Sequence, residues 1–93
     1  MFILKYLENS DAACTSEVEL FATEAEAHSK METQYEATVR LLGGNFLSEE
    51  PADADEASRW STIGKEYACV QDGIDSYRWE IIEDDRFVPR CEN

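Results

Sequence analysis

The segment from Phe2 to Glu8, Phe-Ile-Leu-Lys-Tyr-Leu-Glu, is dense in aromatic and aliphatic residues and predicts a strand. Phe2, Leu4 and Tyr6 fall on one side of it, and Ile3, Lys5 and Leu7 on the other. Apolar residues on both sides predict an inner position in a sheet, covered at least partly on each face. Asn9-Ser10-Asp11 is turn chemistry. A second strand is expected over about 15–21, with Val18 and Leu20 facing the core and Glu17 and Glu19 facing solvent. The two strands should form an antiparallel hairpin.

The period then changes from two to between three and four. Ala27, Met31, Tyr35, Thr38, Val39 and Leu42 draw one apolar stripe and predict a helix over 24–42. Thr23-Glu24-Ala25-Glu26 opens it as a capping box, in which the Thr23 hydroxyl and the Glu26 carboxylate each accept from the other's backbone N–H. Glu24 and Glu26 also suit the positive end of the helix dipole. Glu26 with Lys30 and Glu36 with Arg40 stand in the favourable four-residue order for ion pairing. Gly43-Gly44 supplies the left-handed residues that end a helix.

Residues 45–59 contain Pro51 and a run of carboxylates, which argues for a solvated loop with at most a short helical turn near 53–58. From about Gly64 to Gln71 the alternation returns, with Tyr67 and Cys69 opposite Ala68 and Val70. Asp72-Gly73 is a turn signal, and a last strand is expected over about 76–83, where Tyr77, Trp79 and Ile81 share a side. The tail at 87–93 either drapes over the sheet or stays mobile. The order is ββαββ, and it predicts an α+β fold: a four-stranded antiparallel sheet with one helix packed on one face. The opposite face would carry Lys5, Glu17, Glu19, Arg78 and Glu80. At 93 residues the chain suits one domain spanning 1–93.

Composition adds one strong fact. Asp and Glu number 21 against 8 Lys and Arg, a formal net charge of −13, and the excess is spread along the chain. A field of that sign repels nucleic acid and anionic lipid and draws in basic proteins. Direct DNA or RNA binding is therefore disfavoured, and a basic protein is the natural partner. The longest mostly apolar stretch, Met1 to Leu7, is far below the ~20 residues of a membrane span and lacks the layout of a secretory leader. A cytoplasmic protein, in a bacterium or a phage-infected cell, is expected. Cys14, Cys69 and Cys91 then read as reduced thiols.

Candidate chemistry is thin. His28 is the single histidine and sits at the border of the apolar stripe, where boundary packing explains it better than a nucleophilic triad does. No Walker A or dinucleotide glycine pattern occurs. Asp53-Ala54-Asp55-Glu56 and Asp72-Gly73-Ile74-Asp75 cluster oxygen ligands but lack the ligand order of a calcium loop. No catalytic residue, metal or cofactor is expected. Tyr67, Tyr77 and Trp79 read as core aromatics, whereas Trp60, beside Arg59, is a candidate interface anchor.

The carboxylates could instead act together. Alternate residues of a strand stand about 6.7 Å apart and successive helical turns about 5.4 Å apart, so acids at those steps can offer a series of negative points resembling a phosphate backbone. The partner-binding candidates are Glu17, Glu19, Glu32, Glu36, Glu49, Glu50, Asp53, Asp55, Glu56, Glu83, Asp84 and Asp85, with Trp60. In size, charge and element order the chain resembles the short acidic proteins of phages and mobile elements, including anti-CRISPR and anti-restriction DNA mimics. That resemblance rests on no motif. It implies stoichiometric inhibition of a Cas effector, a nuclease or a DNA-binding regulator. The competing expectations are a protein-interaction module that is not a mimic, with an apolar-centred interface, and a housekeeping domain or enzyme.

Overall fold

In the computed structural model, residues 1–10, 14–53 and 58–83 are described. They form, in order, β1 (Phe2–Asn9), β2 (Cys14–Phe21), α1 (Glu24–Leu41), β3 (Arg59–Ile63), β4 (Tyr67–Asp72) and β5 (Asp75–Glu83). The strands make one antiparallel sheet in the order β2-β1-β5-β4-β3. Among the described residues the fold is thus α+β with a single helix, as expected, but the sheet has five strands and the order is ββαβββ. The extra strand is β3, at the far edge. Its inward positions are Arg59, Ser61 and Ile63, so its polar–apolar alternation gives a weak strand signal. Most of the expected helical turn near 53–58, residues 54–57, and the tail at 87–93 lie outside the described residues.

The helix covers one face of the sheet. Leu4 from β1, Ala68 and Val70 from β4, and Trp79 and Ile81 from β5 meet Ala27 and Met31 of α1 in one buried cluster. Trp79, Met31 and Val70 are the largest side chains to be fully buried, and each withdrawal of such a group from water contributes about 1.5–3 kcal/mol. The Trp79 indole N–H donates to Gln34 Oε1 at 3.0 Å, which satisfies the polar end of a buried ring. Tyr35 donates to the Ser61 hydroxyl at 3.0 Å, tying the same helix to β3.

Both helix ends follow from the sequence. At the start, the Glu26 N–H donates to Thr23 Oγ1 at 3.1 Å and the Thr23 N–H to Glu26 Oε1 at 3.2 Å, so the capping box is closed in both directions. At the end, the Gly44 N–H reaches Val39 O at 2.9 Å and the Gly43 N–H reaches Arg40 O at 3.1 Å. Gly43 and Gly44 take φ of 92° and 70°, the left-handed geometry that this pair of bonds needs. The two expected ion pairs along the helix, Glu26 with Lys30 and Glu36 with Arg40, do not close. The only ion pairs among the described residues are Arg59–Asp72 and Lys65–Glu24.

One expectation is reversed. Strand β2 pairs with β1 so that Leu4 faces Glu19 and Tyr6 faces Glu17, which sets both glutamates on the helix side. Val18 and Leu20 therefore lie on the helix-free side and are 62% and 47% exposed. A strand of alternating acidic and apolar residues fits a sheet in either sense, and here the hairpin register decides it. Glu17 and Glu19 nevertheless remain exposed on the helix side.

Candidate functional site

Reading across the ladder, the helix-free face presents rows of side chains. One row runs Leu20, Ile3, Ile82, and the next runs Val18, Lys5, Glu80, Tyr67. A third runs Ser16, Leu7, Arg78, Cys69, Thr62, and a fourth ends on Trp60 at the β3 edge. Ile3 and Cys69 are buried, but Leu7 is 48% and Tyr67 52% exposed. With Val18 and Leu20 they form an apolar surface broken by Lys5, Arg78 and Glu80. Tyr67 is thus a surface aromatic and not the core residue its alternation suggested. Its ring lies over Gly64, where an added Cβ would come within 2.7 Å of Tyr67 Cε1.

The predicted acidic residues do not converge. Glu17 and Glu19 line a groove on the helix side with Leu4, Tyr6, Val18 and Gln34. Glu32 belongs to the other flank of α1, beside Glu24, His28 and Lys65. At 100° per residue Glu36 lies on that flank too, one turn further along. The flank is identified by its contacts: His28 Nε2 donates to Gly64 O at 3.3 Å, and Tyr35 reaches β3. The helix therefore separates the two glutamate pairs. Glu49, Glu50 and Asp53 are exposed in the connection between α1 and β3, and Glu83 is exposed at the end of β5. Asp55, Glu56, Asp84 and Asp85 lie outside the described residues.

Trp60 is half-buried. Its strand takes a short parallel bridge from Leu47, with the Leu47 N–H donating to Arg59 O at 3.1 Å and the Ser61 N–H to Leu47 O at 2.8 Å. The β3 edge is partly occupied by this bridge, whereas no strand among the described residues pairs with the outer side of β2. Nearby, the Cys69 thiol is pushed above its usual value by burial, with the Arg78 charge opposing and Glu50 adding to the shift. Burial also raises the Tyr6 phenol, helped by its hydrogen bond to Glu8 Oε1 at 2.9 Å, and raises Tyr77. These shifts keep the three groups in their neutral, protonated form.

Among the described residues no three of His, Cys, Asp and Glu gather into a group that could hold a metal ion, and no helix is long and apolar enough to cross a membrane. The exposed apolar surface is the feature that sequence reading missed. Its signal was present in β1, where Ile3 and Leu7 put apolar residues on the side away from Leu4. No family model, curated protein or solved structure matches the chain.

Proposed function

We propose that this chain is an acidic protein-binding domain whose partner is a basic protein, and that its role is binding, with no catalytic step. The supporting observation is one juxtaposition on β2: exposed apolar Val18 and Leu20 alternate with exposed Glu17 and Glu19. Apolar side chains can form the desolvated centre of an interface, and carboxylates at its rim steer and orient a cationic partner. With two ion pairs among the described residues, most of the described carboxylates are left for such a partner.

Where the partner's basic surface is itself a nucleic-acid site, docking would close that site. The chain would then inhibit a nuclease, a Cas effector or a DNA-binding regulator in a bacterial or phage-infected cell. Inhibition by DNA mimicry is the second reading, favoured by the strand repeat that separates Glu17 from Glu19. The helix lies between that pair and the Glu32–Glu36 flank, so the first reading, with an apolar centre, has more support.

The test is capture from a bacterial lysate on the immobilised protein at about 0.1 M and about 1 M salt, conditions under which charge screening differs several-fold in range. The proposal expects a basic protein that is retained at both salts and lost when Val18 and Leu20 are both changed to Ser. Retention at low salt only, with displacement by duplex DNA, selects mimicry. Retention of no basic protein under either condition rejects both.

A further inference from the structure

Strand β2 forms an edge of the sheet. It pairs with β1 over eight residues and has no described strand on its other side. Alternate residues of such a strand aim their N–H and C=O groups outward, a template for one more strand. Edges are commonly blunted by proline, charged side chains, a bulge or a short length, and on β2 the one such device is the pair Glu17 and Glu19, carried on the helix side. Here the sequence Cys-Thr-Ser-Glu-Val-Glu-Leu-Phe has no proline, glycine or lysine and pairs without a bulge. Six of its eight residues are exposed, including Glu17, Val18, Glu19 and Leu20 in succession.

We propose that the β2 edge accepts an extended segment of a basic protein, one in which Lys or Arg alternates with apolar residues, as a sixth strand of the sheet. This rests on the reading of the chain as a binder of basic proteins and specifies the form of what it binds. Side chains directly opposite each other in an antiparallel pair are about 5 Å apart at Cβ. An incoming strand in register sets every second residue against Glu17 and Glu19 on the helix side. The residues between face the side of Val18 and Leu20. Cations suit the first set and aliphatic groups the second.

The same edge disfavours a second copy of this chain in its central registers. Antiparallel pairing of β2 with itself, centred anywhere from Glu17 to Glu19, places a glutamate directly against a glutamate of the other copy. Like charges directly opposite are destabilising, and each copy adds its own net charge of −13. Nucleic acid is rejected by the same field. Charge complementarity therefore selects the occupant.

The experiment uses two synthetic peptides of about eight residues, the length of a typical strand. One repeats Lys-Val-Arg-Ile; the other has the same residues with all cations at one end. Binding and amide hydrogen exchange are followed on the whole protein by NMR. The alternating peptide should bind about tenfold more tightly, the sum of a few cross-strand pairs, and should slow exchange at the outward amides of β2. The Glu17→Lys, Glu19→Lys double variant, checked for an intact fold by its α1 and β5 signals, should prefer a Glu-Val-Glu-Ile repeat instead. Equal, salt-sensitive affinity for both peptides overturns strand addition while leaving a basic partner in place. Binding of neither peptide overturns strand addition, and so does β2 protection that rises with protein concentration in the absence of peptide.

Discussion

Arg59 and Asp72 stand directly opposite each other on β3 and β4, with Arg59 Nε 2.8 Å from Asp72 Oδ1. The other guanidinium nitrogens reach the end of the helix: Nη2 donates to Leu42 O at 2.7 Å and Nη1 to Gly44 O at 3.2 Å. The group also lies 4.2 Å above the Phe46 ring. One cation thus joins the edge strand, the carbonyls at the negative end of the helix dipole and the start of the connecting loop.

Replacing Arg59 by Ala should lower stability by about 2–3 kcal/mol, because several charge-assisted bonds are lost together. Arg59→Lys should recover less than half of that, since an ammonium cannot serve three separated acceptors and stack on a ring. Urea unfolding of the three proteins measures both. A loss under about 0.5 kcal/mol in the Ala variant would place Arg59 with ordinary surface ion pairs.

Met31 and Leu41 belong to the same helix and are comparable in size, but they differ sharply in burial. Met31 is fully buried against the sheet, whereas Leu41 is 85% exposed. Met31→Ala should cost about 2–5 kcal/mol through lost contacts and a residual cavity. Leu41→Ala should change stability by less than about 0.5 kcal/mol, because water already surrounds that side chain. Comparable losses in the two variants would contradict the helix orientation described above.

These contrasts indicate what could be read from residues alone. The helix was legible because three local signals agreed: a capping box at Thr23, one apolar stripe and a double glycine stop. The hairpin of β4 and β5 was legible from Asp72-Gly73, where Gly73 takes the positive φ of the turn. Strand β3 was not, because its inward positions include Arg59 and Ser61, whose partners come from α1, the loop and β4. The facing of β2 was not legible either. It is fixed by the pairing of Leu4 with Glu19, a contact between strands that no pattern within β2 encodes. The candidate site suffered most from this, since that pairing decides whether Val18 and Leu20 become core or surface.

Tyr6 makes stability depend on alkaline pH. Burial and the bond to Glu8 hold its phenol well above the usual value of about 10 in the folded chain. Once the pH exceeds that usual value, the unfolded chain releases the proton while the folded chain keeps it. The stabilisation is thus whole below about pH 10 and is lost as pH rises beyond it. Tyr77 shifts in the same direction. The urea midpoint should fall between about pH 9 and pH 11, more gently in Tyr6→Phe than in the parent chain. Parallel falls in the two proteins would remove Tyr6 as a cause.

The two described thiols should react at different rates. Cys14 is exposed at the start of β2, while Cys69 is buried and its thiol is held protonated by that burial. The thiolate is the reacting species, so Cys69 must wait for local opening. In a Cys91→Ser variant one thiol should be modified by a disulfide reagent at a rate typical of free thiols. The second should react at least about a hundredfold more slowly, until urea unfolds the chain. Two equal fast phases would show that the helix-free face does not shield Cys69.

Salt should stabilise this protein. Its 21 carboxylates face only 8 Lys and Arg, and of the two ion pairs among the described residues one, Lys65–Glu24, spans 3.9 Å with the lysine side chain 79% exposed. Such a pair contributes little. Against it stand repulsions built into the elements, between Glu17 and Glu19 along β2 and between Glu32 and Glu36 one helical turn apart. Raising ionic strength from about 0.01 to 1 M shortens the screening length from about 30 to 3 Å, which weakens the many repulsions more than the few attractions. The urea midpoint should therefore climb with sodium chloride. Changing Glu17 and Glu19 together to Gln should raise it at low salt, by an equivalent of about 0.5 kcal/mol, and flatten the climb. A midpoint that falls as salt is added would mean that attraction outweighs repulsion across the folded surface, and the carboxylates would then be engaged at home instead of being available to a partner.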